Sequence, residues 1–210
     1  IEAGSIAASG GSYAFVGEAD LDHFSFSLSS AGDVDGDGVA DLILGTYRHD
    51  ILGTREGAAY LLSGARLVEA DAADGTADGV VQAAHVAGIA GSYKFVGGND
   101  NDKAGYSVAS AGDLDGDGRD DLLIGAPGTQ IGDLSGAGAV YVLMAQSLEA
   151  LDAADGSTDG AITLDPAGDV AGSYVIHGGL GGPSLVGIVA SAGDVDGDAV
   201  PDILVTSRVG

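Results

Sequence analysis

A chain of 210 residues with 45% hydrophobic side chains carries enough apolar material for a real core, in one large domain or two small ones, which excludes a disordered acidic tail. Its 32 acidic residues against 7 basic ones give a formal charge of −25, which argues against nucleic acid and anionic membrane surfaces as partners and leaves cations as the natural ones. The acids are 27 Asp and only 5 Glu, cysteine is absent, and 38 Gly stand against 4 Pro, a composition of short elements joined by charged turns without disulfide support.

The chain opens at Ile1 without an initiator Met or a signal peptide, so any targeting signal is expected to have been removed or to lie outside it. No apolar run approaches the roughly 20 residues needed to span a bilayer. Residues 1–11 align with the end of a repeat, and the first strand is read in "GSYAFVG" from Gly11. "FSFSLSS" from Phe24 alternates apolar and polar positions, as a half-buried strand does. The acidic loop "AGDVDGDGVAD" from Ala31 follows and runs into "DLILG", a continuous apolar stretch suited to a strand buried on both faces. "GAAYLL" from Gly57 is the next strand, and "LVEADAADGTADG" from Leu67 is a brief helical candidate ending in Asp-Gly turns.

The same series then returns. "GSYKFVG" at Gly91 and "GSYVIHG" at Gly172 repeat the first strand, and "SAGDVDGDGVAD" at Ser30 returns as "SAGDLDGDGRDD" at Ser110 and "SAGDVDGDAVPD" at Ser191, spaced by 80 and 81 residues. "GYSVAS" from Gly105, "DLLIG", "GAVYVL" from Gly138 and "LEALDAADGSTDG" from Leu148 complete the second copy, with Ser147 as the expected helix N-cap and Gly156 as its stop. The expected units are residues 12–91 and 92–172, with a truncated third at 173–210, about 2.6 repeats in all. Four short antiparallel strands per unit predict an all-β fold of propeller-type blades, forming a partial propeller.

The run "AGYSVASAGDLDGDGRDDLLIGAP" from Ala104 to Pro127, followed by "GAVYVL", resembles an FG-GAP repeat of the integrin alpha-chain N-terminal β-propeller and its bacterial relatives. Gly125, Ala126 and Pro127 supply the GAP, while "AG" stands where the family often has Phe-Gly. The first repeat has "FS" and "GTY" at those places and the third "LV" and "TSR", but the loop that binds calcium in the family matches in all three. The resemblance implies a secreted or cell-surface module, noncatalytic, serving adhesion or binding of protein or glycan.

The chemistry of the loop stands on its residues as well. Aspartates at loop positions 1, 3 and 5 turn oxygens into one concavity, a backbone carbonyl at position 7 adds another, and a carboxylate at position 9 closes the shell; a cation taking six to eight oxygens is Ca²⁺. The expected ligands are Asp33, Asp35, Asp37, the Val39 carbonyl and Asp41; Asp113, Asp115, Asp117, the Arg119 carbonyl and Asp121; and Asp194, Asp196, Asp198, the Val200 carbonyl and Asp202. Three calcium ions per chain are therefore expected. With no Cys and no His recurring in register, soft metals are disfavoured. An EF-hand needs an acid at position 12 and a helix behind the loop, whereas Leu44, Ile124 and Val205 stand there in strand-like runs.

A second acidic pattern, Asp71, Asp74 and Asp78 with its copy Asp152, Asp155 and Asp159, suits either a further ion or Asp-Gly turns. "GGLGG" from Gly178 lacks the Lys and following helix of a phosphate loop, and no serine sits in a recognisable nucleophile motif, so no enzyme is expected. A noncatalytic propeller segment of a larger secreted hydrolase is the alternative reading. Since 2.6 units do not close a ring, further repeats or other copies of the chain are expected to complete the sheets.

Overall fold

The computed structural model describes residues 12–19, 22–49, 55–134, 136–166, 172–178 and 185–207. The expected repeat end at 1–11 and most of "GGLGG" lie outside these residues. Among the described residues the fold is mostly strand, in chain order β1 (Ala14–Val16), β2 (Ser27–Gly32), β3 (Asp41–Thr46), β4 (Ala58–Leu62), helix α1 (Leu67–Ala72), β5 (Val80–Gln82) and β6 (Tyr93–Gly97). The second series is β7 (Ser107–Gly112), β8 (Asp121–Ala126), β9 (Ala139–Leu143), α2 (Leu148–Asp152), β10 (Ala161–Leu164) and β11 (Tyr174–His177), followed by β12 (Leu185–Gly193) and β13 (Asp202–Ser207).

Two sheets are built on the expected antiparallel four, β2-β3-β4-β6 and β7-β8-β9-β11, while β12 and β13 form the beginning of a third. The result is a partial, propeller-like all-β fold with open ends, as the repeat pattern predicts. One feature departs from that pattern. β10 adds a fifth strand to the first sheet, parallel to β6, and β5 lies parallel to β1 in the same way, so each linker behind a helix reaches back to the strand about 66 residues before it, and β10 thereby extends the outer edge of the first sheet.

Local chemistry sets the boundaries. β2 starts at Ser27 and not at Phe24, because the Asp22 carboxylate accepts the Phe24 N–H at 2.9 Å and Ser25 takes a positive φ of 57°, which turns the chain before the ladder begins. Ser147 makes no capping bond: α2 grows out of a 3-10 turn over Ala145–Ser147, so its first amides are not free as they are at an abrupt start. Gly156 does stop the helical stretch, at φ 93°.

The sheets pack face to face through apolar side chains. Ile43, Leu61 and Phe95 of the first sheet meet Leu122, Ile124, Tyr141 and Leu143 of the second, with Ile162 and Leu164 from the added strand. Burying one such side chain is worth about 1.5–3 kcal/mol, so this seam is the main stabilising contact between units. Near the inner strands the backbones almost touch: a Cβ on Gly45 would lie 2.1 Å from the Gly105 carbonyl oxygen, and one on Gly125 1.7 Å from that of Gly187. Only glycine fits there, which explains the glycine kept at that point in the first two units. The third unit shows what neighbours contribute, since β8 is buried throughout while Leu204 of β13 is 57% exposed.

Candidate metal centre

Each acidic loop connects the first two strands of its sheet. In all three a bulge precedes it and its last aspartate opens the next strand, pairing Gly32 with Asp41, Gly112 with Asp121 and Gly193 with Asp202. Inside the loop the first aspartate organises the turn. Asp33 accepts the N–H groups of Gly36 and Gly38, both at 2.9 Å; Asp113 accepts those of Gly116 and Gly118 at 2.7 and 2.9 Å; Asp194 accepts those of Gly197 and Ala199 at 2.6 and 3.0 Å. The third and fifth positions add shorter turns, Asp35 to the Asp37 N–H at 3.1 Å and Asp37 to the Val39 N–H at 2.8 Å, with the same pair of bonds in the other loops. Position 6 needs a positive φ throughout, 87° at Gly38, 89° at Gly118 and 72° at Ala199.

These bonds hold the carboxylates together. One oxygen each from Asp33, Asp35 and Asp37 lie within 4.8 Å of one another; in the second loop the set is Asp113, Asp115 and Asp121, and in the third Asp194, Asp196 and Asp202. Two unit negative charges 4 Å apart repel by about 4 kcal/mol at an effective dielectric of 20, so a cation among them relieves a real cost. The donors are all hard oxygens, which fits Ca²⁺ and disfavours soft metals.

The ninth-position acids, and the expected ligands outside these triads, have further partners of their own. Asp41 is fully buried and accepts the Val34 N–H at 2.8 Å and the Gly64 N–H at 2.9 Å. Asp121, also fully buried, accepts those of Leu114 and Ala145, both at 2.9 Å. The ninth-position acid therefore clamps the acidic loop to the chain leaving the third strand, a role that spacing alone does not reveal. Burial pushes both carboxyls above their ordinary pKa, against these hydrogen bonds. Asp117 is instead drawn toward Arg119, whose guanidinium reaches it at 2.8 Å; the Arg119 backbone N–H and that guanidinium hold its carboxyl below the ordinary value. Asp198 accepts the Val200 N–H, and the backbone of Val39, Arg119 and Val200 occupies position 7 in its three loops.

The second acidic pattern serves backbone turns. Asp71 accepts the N–H groups of Gly79 and Val80 at 2.7 and 2.9 Å, Asp152 that of Gly160 at 2.9 Å, and Asp74 that of Thr76 at 2.9 Å. Asp71, Asp74 and Asp78 form no three-carboxylate group.

Comparison with known proteins agrees with this construction. The FG-GAP repeat model matches residues 25–62 and 104–143, each running from the first strand of a sheet through its acidic loop to the third. The chain is similar to integrin alpha pat-2 of Caenorhabditis elegans, at 36% identity over 121 residues, and to that of Caenorhabditis briggsae, at 34% over 119. Each alignment covers 56% of this chain and 8% of the integrin chain. The third acidic loop lies beyond both matched stretches of the repeat model. Residues 25–62 and 104–143 are FG-GAP repeats, and over about half its length the chain is similar to integrin alpha chains.

Proposed function

We propose that the chain is a calcium-stabilised module of an extracellular FG-GAP propeller, serving adhesion or the binding of protein or glycan, and that it is noncatalytic. The observation that carries this reading is the threefold recurrence of an all-oxygen carboxylate triad on one loop skeleton, within 4.8 Å in each case. Calcium would be held by the aspartates of positions 1, 3, 5 and 9 with the position 7 carbonyl. It supplies positive charge that offsets carboxylate repulsion and fixes the loop, and no reacting group is needed for that. The integrin alpha relatives and the FG-GAP matches support an extracellular setting, and no helix among the described residues is long and apolar enough to cross a membrane.

Calorimetric titration of the chelator-treated chain tests the reading directly. Three calcium ions per chain, with magnesium a much weaker competitor, are expected. Absence of calcium binding, or equal preference for magnesium, would overturn it.

A further inference from the structure

The linker strands follow a rule that the third unit leaves incomplete. β5 lies parallel to β1 in the register Ala14 to Val80 through Val16 to Gln82, and β10 lies parallel to β6 from Lys94 with Ala161 through Gly97 with Leu164. Both pairings begin on the same bond: the Ala14 N–H donates to the Gly79 carbonyl at 2.9 Å, and the Lys94 N–H to the Gly160 carbonyl at 2.7 Å. β11 is the third copy of the accepting strand, with Val175 standing 81 residues after Lys94. One side of β11 pairs with β9; among the described residues no strand pairs with the other.

The side chains show the consequence. Phe95 in β6 is fully buried, whereas Ile176 at the same place in β11 is 36% exposed, and Tyr174 is 61% exposed where Tyr93 packs against the core. Beside this edge runs a groove of about 560 Å³ whose lining includes Leu114, Val142, Met144, Ile176 and Ile203. The corresponding seam between the first two sheets is filled by Leu143, Leu148, Ile162 and Leu164 of the later unit.

We propose that the free edge of β11 and this groove form an acceptor site for the linker of a following FG-GAP unit joined on the C-terminal side, a helix and strand of the pattern Leu148–Leu164. The strand enters parallel to β11, its leading glycine carbonyl takes the Val175 N–H, and its two alternating apolar side chains fill the groove. A second copy of the chain is the poorer donor, because both of its segments of this pattern, β5 and β10, are already paired within it. The inference rests on the reading of the chain as part of a longer propeller, but it can fail independently of calcium binding.

The probe is a synthetic peptide of residues Leu148–Pro166 added to the calcium-loaded 210-residue chain, with amide exchange followed at β11. Exchange at Val175 should slow about tenfold or more at saturation, as for an amide newly placed in a ladder. The same peptide carrying Ile162→Asp and Leu164→Asp should have no effect. A short strand pays an ordering cost on binding, so a second arm appends a copy of Gln130–Pro166 directly after Gly210 and reads the same amide. Unchanged Val175 exchange in both arms, with calcium binding and β9 protection intact, would overturn the acceptor site alone. Protection of Val175 that rises with concentration in the unextended chain would overturn the choice of occupant in favour of a second copy.

Discussion

Asp33 and Asp120 are joined by two reciprocal bonds across the first two units: the Asp33 N–H donates to the Asp120 carboxylate at 2.8 Å, and the Asp120 N–H donates to the Asp33 carbonyl at 2.9 Å. Asp33 is the organising acid of the first acidic loop, and Asp120 stands immediately before the buried clamp of the second. The two centres are thus mechanically connected. Between the second and third loops the connection is different, because Pro201 occupies the place of Asp120 and packs over Gly112. Replacing Asp120 by Ala should therefore loosen the first calcium site several-fold and cost about 1–2 kcal/mol of stability, while the third site is unaffected. Site-resolved amide shifts at Gly38 and Ala199 during calcium titration read the two effects separately, and equal loosening at both would refute the coupling.

Calcium removal should lower stability substantially. With a dissociation constant near 0.1 mM and about 1 mM free calcium, mass action contributes roughly 1.4 kcal/mol per site, so three sites contribute on the order of 4 kcal/mol. Chelation with EDTA should depress the melting temperature by many degrees, and readdition should restore it. A melt indifferent to EDTA would show that the loops keep their shape through hydrogen bonds alone.

Most of this architecture is legible in the sequence because it is local. The loop aspartates and the buried "DLILG" and "DLLIG" strands are each carried by residues adjacent in the chain, and their return after about 80 residues marks the repeat. What sequence reasoning missed depends on partners far away. Val80–Gln82 and Ala161–Leu164 are three- and four-residue runs behind Asp-Gly turns, too short to signal a strand, and only an edge in the preceding unit makes them one. The clamps of Asp41 to Gly64 and Asp121 to Ala145 likewise join points 23 and 24 residues apart. A sharper signal was present in the second acidic motif, where the aspartates precede the apolar run that their own turns launch.

His49 gives the fold a pH dependence above the range in which carboxylates titrate. It is 3% exposed, its ring nitrogens make no hydrogen bond, and Glu18 lies 3.7 Å away. Burial, reinforced by the Lys94 charge, holds its pKa below the ordinary value despite Glu18. The folded state therefore keeps His49 neutral while the unfolded chain takes up a proton below about pH 6.5. Its stabilisation is complete above that pH and is lost as pH falls toward the depressed folded value, by up to about 1.4 kcal/mol per pH unit. Melting temperatures in saturating calcium should fall between pH 7.5 and 5.5, and His49→Asn should flatten that decline. An unchanged slope in the variant would assign the effect elsewhere.

The last contrast is among the loops themselves. Position 6 holds a positive φ in all three, which glycine adopts freely at Gly38 and Gly118 but which Ala199 adopts, at 72°, against its own Cβ. That conformation costs a residue with a Cβ about 1–2 kcal/mol. The Ala199 N–H still donates to Asp194 at 3.0 Å, so the loop keeps its shape and carries the strain. Pro201, two residues later, restricts the unbound loop and recovers part of that cost. The third loop also lacks cover, since Asp202 is only half-buried where Asp41 and Asp121 are fully buried. The third site should bind calcium about tenfold more weakly than the first two, a difference of about 1.4 kcal/mol, and should empty first as calcium falls. Ala199→Gly should tighten it selectively, leaving Gly38 and Gly118 shifts unchanged in a titration. If the variant binds no better, the strain at Ala199 is not what separates the sites, and the missing cover over β13 is left as the cause.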